Sequence, residues 1–223
     1  MDQTFPLHLY KSHFFVEING DCWLVDTGAP TSFGTVSGLT LVGERFDLGE
    51  EFLGLTAATL SKYVNFQCAG LLGVDVLSRF DHIFDTVGNL LTVSTDELSH
   101  VGRPVCLEEF MGITIVTVRV NDKEYRMFFD TGAQISYFQA DVIADFPPSG
   151  CVNDFYPGYG QFQTETHQVT MTIGNHDFTL HCGRLPGLLG MTLMLAGVSG
   201  IVGNQTLHGR TTGYFPRRKT LSL

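Results

Sequence analysis

Basic residues are scarce in this chain. Lys and Arg number 13 against 23 Asp and Glu, giving a formal net charge of −10, and charged residues of both signs make up only 16% of the sequence. Binding to phosphate needs a basic face, so nucleic acid is not an expected partner. The single basic run, Arg217-Arg218-Lys219, reads as a solvated strand end. Long runs of the helix formers Glu, Lys and Ala are also missing, which disfavours a helical fold. No stretch is apolar for long enough to span a bilayer, so no membrane association is expected. The segment from Gly187 to Gly203, GLLGMTLMLAGVSGIVG, comes closest, but it is short and broken by Gly, and reads as buried core.

Several chemistries are short of their residues. The five cysteines (Cys22, Cys68, Cys106, Cys151, Cys182) are odd in number and form no C-x-x-C pair. Reduced thiols fit better than a disulfide framework, and with an N-terminus that lacks a basic start and apolar core, a cytoplasmic location is expected. None of the eight histidines stands in H-E-x-x-H or a close His/Cys ligand spacing, so no metal is expected. His13, His82 and His208 sit beside apolar residues and read as structural. There is no G-x-S-x-G elbow for a serine nucleophile, and no phosphate-binding loop or dinucleotide fingerprint, so no cofactor is expected. Cys22 lies close to Asp26 in sequence, yet no partner His is evident, and a packed thiol is the simpler reading.

What the chain has instead is strand and turn material: 43% hydrophobic residues, 25 Gly and 18 Phe. It also has a repeat. LVDTGAPTSF, from Leu24 to Phe33, returns as FFDTGAQISY, from Phe128 to Tyr137, with the two Asp residues 104 positions apart. Both copies follow alternating apolar residues (Phe14, Val16, Ile18; then Ile115 or Val116, Val118, Val120) and a turn signal, Asn19-Gly20 or Asn121-Asp122. Asn-Gly suits a two-residue hairpin, in which both central residues take positive φ. Each copy therefore reads as a hairpin whose return strand runs into Asp-Thr-Gly. The segments after them match too. Gly70 to Ser94 and Gly200 to Leu223 each hold two apolar residues and a Gly, a helix-like turn, aromatics and a closing strand. The polar stretch from Ser94 to Pro104 divides the halves, giving units 1–98 and 99–223. A further hairpin is expected around Gly174-Asn175, and a short helix around Ala57 to Ser61.

A single Asp-Thr-Gly is a turn, since all three residues favour turns locally. Two copies in related halves have a different consequence. Related halves tend to pack about an approximate two-fold axis, and a motif on that axis meets its twin. Asp26 and Asp130 would then face one another, and two close carboxylates share a proton because both cannot ionise cheaply. One acts as base and the other as acid at the same pH, which suits direct hydrolysis of an amide by water.

The doubled motif, the Ala after each Gly and the later apolar-apolar-Gly elements resemble the pepsin and retropepsin clan of aspartic peptidases. The resemblance covers roughly Phe14 to Phe33, Gly70 to Ser94, Val118 to Tyr137 and Gly200 to Leu223. It implies an all-β, bilobal, pseudo-two-fold fold, and an endopeptidase with Asp26 and Asp130 as catalytic residues. Thr27 and Thr131 would interlock across the axis. Gly28 and Gly132 would aim N–H groups at the carboxylates, and Leu71-Leu72-Gly73 and Ile201-Val202-Gly203 would pack beneath. The latter site is preferred over Gly187 to Gly190 because its tail matches the first half. Ala29 and Ala133 replace the Ser usual in pepsins, which removes an acidifying contact and implies a milder pH optimum.

The family covers its cleft with a hairpin flap. Asp26 to Gly73 spans only 47 residues, short for a full flap, whereas Asp130 to Gly203 spans 73. The segment DFYPGYGQFQT, Asp154 to Thr164, is the flap candidate, with Tyr156 or Tyr159 over the substrate; an ordinary surface hairpin is the alternative. Only 25 residues precede Asp26, leaving no room for a propeptide. The expected partner is an extended peptide or protein substrate held between the lobes of a monomer. The rival function is a catalytically silent peptide-binding module on the same fold.

Overall fold

A computed structural model describes the backbone of all 223 residues and the side chains of all but Leu188, Leu189, Met191 and Thr192. The fold is all-β. Among the described residues, strands carry nearly all the regular structure, and the longest helix, Gly187–Leu195, has nine residues. Among the described residues, no helix is long and apolar enough to cross a membrane.

Each Asp-Thr-Gly sits at the end of a hairpin, for the reason the turn residues give. His13–Ile18 pairs antiparallel with Asp21–Val25, and Ile113–Val120 with Lys123–Phe129. The linking residues are left-handed: Asn19 and Gly20 at φ 54° and 86°, Asn121 and Asp122 at 47° and 63°. Gly takes this region freely, and Asn and Asp tolerate it at single positions. The return strand then pairs parallel with the apolar-apolar-Gly element of its own half: Val25 with Leu72, and Phe129 with Val202. That element pairs antiparallel, on its other side, with the residues just after the motif: Leu71 with Phe33, and Ile201 with Tyr137. The two halves thus repeat these connections around the motif, and the second half adds pairings of Ile113–Val120 with Gly160–Ile173 and of Ser136–Phe138 with His176–Arg184. Ile201-Val202-Gly203 fills the place that Leu71-Leu72-Gly73 fills in the first half, and Gly187 to Gly190 lies elsewhere, in a helix.

Hairpin strands with both faces apolar bury both faces. Phe14, Val16 and Ile18 enter the main core with Trp23 and Val25, while Phe15 and Leu24 point into a second cluster with Phe33, Leu60 and Leu71. In the second half Val116, Val118 and Val120 take the main-core side, and Ile115 the other. The main core runs through both halves, and each large apolar side chain taken out of water there contributes roughly 1.5–3 kcal/mol.

The halves are joined by one antiparallel sheet of six strands. Its order is Asp2–Tyr10, Leu90–Ser94, Asp81–Asp85, Thr211–Phe215, Thr220–Ser222, Pro104–Phe110. The central contact is between equivalent strands of the two halves, with His82 opposite Tyr214. Only Asp2 to Pro6 of the first strand lies in this sheet. Leu7 to Tyr10 continue into the first half and pair with His13–Ile18.

One expectation needs correction. The apolar segment from Gly187 is not buried throughout: Met194 and Leu195 are 65% and 88% exposed, while Leu193, Val198 and Ile201 are buried. A helix lying on the outside of a sheet cannot bury every face, and this one carries apolar residues on its open side.

Candidate active site

The first carboxylate is placed within its own loop by backbone bonds. The Asp26 N–H donates to Leu72 O at 3.0 Å, fixing the strand end. The chain then turns, so that the N–H groups of Gly28 and Ala29 both donate to Asp26 Oδ1 at 2.9 Å. The second copy repeats this. Asp130 N–H donates to Val202 O at 3.0 Å, and Gly132 and Ala133 donate to Asp130 Oδ1 at 2.9 and 3.0 Å. Beneath each turn a serine locks the neighbouring strand: Ser32 Oγ accepts from Gly73 N–H at 2.8 Å, and Ser136 Oγ from Gly203 N–H at 3.0 Å.

The threonines join the copies. Thr27 N–H donates to Thr131 Oγ1 at 3.1 Å, and Thr131 N–H donates to Thr27 Oγ1 at 3.0 Å. Each hydroxyl then donates across the join, Thr27 to Phe129 O and Thr131 to Val25 O, both at 2.7 Å. Both threonines are fully buried. The four bonds leave the two turns little freedom to slide apart, and they set Asp26 against Asp130.

The closeness of the carboxyls shows in the glycines between them. A Cβ on Gly28 would lie 2.3 Å from Asp130 Cγ, and one on Gly132 would lie 2.4 Å from Asp26 Cγ. No other residue fits either position. Surrounded by protein on every side but the cleft, the pair holds its proton well above the usual carboxylate range. For Asp26 burial is the main cause, followed by the negative charge of Asp130 and the hydrogen bond between the two carboxyls. Burial also raises Asp130, and the N–H groups of each loop pull the other way. Because the two environments are near copies, the proton belongs to the pair.

The carboxyls form the floor of a cleft of about 200 Å³. Its roof is the long hairpin of Pro148–Tyr156 and Gly160–Ile173, with Phe155, Tyr156 and Pro157 over the acids. A two-residue hairpin of the first half, Glu51–Phe52 with Leu55–Thr56, supplies Phe52 and Leu55 to the wall. Its tip meets the tip of the long hairpin, Leu53 against Gly158. The cover is therefore one long hairpin and one stub, as the spacing of the halves implies.

No protein-family model matches the chain, and a search of curated proteins finds no match. Its chemistry is read from its own residues.

The cleft brings together Asp26, Gly28, Asp130, Gly132 and Tyr156, with Thr27 and Thr131 directly beneath. Tyr156 has its phenol pushed up by burial first and then by the charges of Asp130 and Asp26. Tyr159 does not join it. It lies half-exposed on the outer side of the tip, its ring edge-on to Phe162 at 5.9 Å. Tyr156 is the last paired residue of its strand, opposite Gly160, whereas Tyr159 lies in the turn beyond Pro157 and Gly158.

Sequence reasoning passed over a third acid, Asp154. Its Oδ2 accepts from the Tyr137 hydroxyl, its Oδ1 accepts from Phe155 N–H at 2.8 Å, and it lines the cleft. Burial pushes its carboxyl up to about 6 against the pull of these donors. The only signal was an Asp beside aromatics in DFYPGYG, which reads equally as a turn residue. Among the described residues no three His, Cys, Asp or Glu side chains stand together as metal ligands. All five cysteines are unpaired, and Cys22 packs against the second core cluster. His13 Nδ1–H donates to Gly132 O at 3.1 Å, so it buttresses the second loop.

Proposed function

We propose that the chain is an aspartic endopeptidase that hydrolyses peptide bonds with a water activated between Asp26 and Asp130. One observation carries this reading: two carboxyls face one another at the floor of a cleft, each held by two backbone N–H groups, with each loop locked to the other by a threonine. Residues 1–98 and 99–223 are then two lobes about an approximate two-fold axis, in the manner of the pepsin and retropepsin clan. The active unit is a monomer, since both acids come from one chain. The free cysteines fit a reducing compartment such as the cytoplasm.

The reaction follows from the shared proton. The ionised carboxyl takes a proton from the water as its oxygen attacks the peptide carbonyl. The protonated carboxyl meanwhile gives its hydrogen to the carbonyl oxygen, and a neutral gem-diol forms. In the second half a carboxyl proton passes to the amide nitrogen and the C–N bond breaks. One diol hydroxyl returns its proton to the carboxylate, leaving a carboxylic acid and an amine, with the pair again holding one proton. The long hairpin lies over an extended peptide, excludes water and contributes backbone bonds to it.

The test is a diverse peptide mixture incubated with the protein between pH 4 and 7 and read by mass spectrometry, alongside Asp26→Asn and Asp130→Asn. A peptidase of this kind cuts as the unchanged protein and stops with either substitution. Peptides that bind but stay intact throughout would point to a silent binding module.

A further inference from the structure

If the cleft cuts peptides, as proposed above, the next matter is which peptides it accepts. Two carboxylates in the described residues are less than a tenth exposed, and they are served very differently. Asp81, at 0% exposed, is paired with two guanidinium groups, Arg217 at 3.0 Å and Arg218 at 2.5 Å. Asp154, at 8% exposed, has no Lys, Arg or His side chain within salt-bridge distance. Its donors, the Tyr137 hydroxyl and the Phe155 N–H, are both neutral. A carboxylate so far out of water is ordinarily paired with a cation.

Asp154 also opens where a cation can arrive. It lines both the cleft over the dyad and an adjoining hollow of about 130 Å³ in which Lys11, His13, Gln134, Asn153 and Gln161 form a polar wall beside Tyr63, Val64 and Phe155. The hollow in the equivalent position has the opposite character. It measures about 210 Å³ and is lined by Phe110, Met111, Ile113, Phe128, Leu193 and Ala196, and it shares Gly28 and Asp130 with the cleft. The two hollows are bordered by equivalent hairpin tips, Tyr10 to His13 and Phe110 to Ile113, and by equivalent residues after the motif, Gln134 and Pro30. They therefore flank the dyad, one polar and ending on an unpaired acid, the other apolar.

We propose that the cleft selects peptides with a Lys or Arg side chain on one side of the cleaved bond and a bulky apolar side chain on the other, with Asp154 pairing the cation. The ligand's ammonium or guanidinium supplies the charge-assisted bond that Asp154 lacks in the free protein. The net charge of −10 draws such peptides in.

The experiment uses two pairs of fluorogenic peptides, Phe-Lys against Phe-norleucine and Lys-Phe against norleucine-Phe, at the two positions around the cut. The kcat/KM ratio within each pair is measured for the unchanged protein and for Asp154→Asn, which keeps the shape and can still accept from Tyr137. A Lys preference of about 30-fold or more in one pair, falling to within about threefold in the variant, is the expected result. A second measurement needs no variant. Burial holds the Asp154 carboxyl at about 6, so the same ratio falls as pH drops through that value. The dyad protons cancel in the ratio, and His13 stays neutral because burial holds it at about 4.

Cutting without a Lys preference, or an equal loss on both peptides in Asp154→Asn, overturns the proposal and leaves the peptidase reading standing. Binding of the same labelled peptides to Asp130→Asn, with and without Asp154→Asn, separates the other case. Lys-selective binding that Asp154→Asn abolishes, with no cutting by the unchanged protein, keeps the role of Asp154 and removes the peptidase. Neither binding nor cutting removes both.

Discussion

Thr27 and Thr131 satisfy one another: each gives its N–H to the other's hydroxyl, and each hydroxyl passes its own hydrogen to a carbonyl in the other half. All six groups in this exchange, two N–H, two hydroxyls and two carbonyls, are out of water, so none has a substitute partner. Thr27→Val keeps the shape and removes the hydroxyl, leaving the Thr131 N–H and the Phe129 carbonyl unmet. Each orphaned buried group costs about 1–3 kcal/mol. At about 2–4 °C per kcal/mol for a chain of this size, the melting temperature falls by roughly 4–24 °C. Thr27→Ser keeps the hydroxyl and gives a much smaller fall. Equal melting temperatures for the Val and Ser variants would remove the bonds from the account.

The glycines give a prediction on geometry. A methyl on Gly28 or Gly132 overlaps the opposing carboxyl, at 2.3 and 2.4 Å. Neither backbone is in the left-handed region, so the obstacle is space alone. Gly28→Ala displaces Asp130 by the order of an ångström, and such a displacement costs about 100-fold in rate. Gly190→Ala, where a Cβ meets nothing within 4 Å, serves as the comparison and keeps its activity. Measuring kcat/KM on a common peptide, with circular dichroism to confirm folding, decides between them.

The pattern of these residues explains what the sequence made legible. The hairpins, the doubled acid loop and the tails were readable because their signals are local: Asn-Gly at a turn, apolar pairs before Asp, a Gly three residues into each tail. The register of the six-stranded sheet was not, because it depends on where Asp2–Tyr10 bends from one sheet into another, and no residue type marks that bend. Asp154 escaped notice for a related reason. Nothing in DFYPGYG says that Tyr137, seventeen residues earlier, waits to donate to it. Met194 and Leu195 misled because apolar composition marks a helix as buried only when packing covers all of it.

The shared proton implies a stability that depends on pH. Burial and the facing Asp130 raise Asp26, so the unfolded chain gives up protons more readily than the folded one. Stability contributed by the pair is therefore present at low pH and lost as pH rises through the raised value. Asp26→Asn removes the charge conflict along with the activity. Relative to the unchanged protein, the variant gains stability between pH 5 and pH 8, read from urea unfolding at both. A difference that is flat with pH would mean that the two carboxyls do not compete for a proton.

Two histidines act in the opposite sense, and the difference method isolates them as well. His13 is 4% exposed and bonds Gly132 O, while His82 is fully buried, stacked on Tyr214 at 5.7 Å and within 2.7 Å of Leu77 O. Burial holds both imidazoles at about 4, below the usual 6.5. In the unfolded chain they charge near 6.5, so their contribution to stability is intact above that pH and drains away as pH falls toward 4. Each is worth about 3 kcal/mol over that range by linkage. His82→Gln keeps a donor for Leu77 O and cannot charge. Its stability relative to the unchanged protein therefore improves steadily between pH 7 and pH 4.5, in a urea series at half-unit steps. His13 carries a second consequence, because the carbonyl it meets belongs to the Gly132 loop that holds Asp130. Acid that charges His13 withdraws its support from the Gly132 loop, so the activity proposed above falls as pH drops toward 4. On the alkaline side it fails when the dyad loses its shared proton. His13→Gln is then expected to extend the acid limb of a kcat/KM profile while leaving the alkaline limb in place.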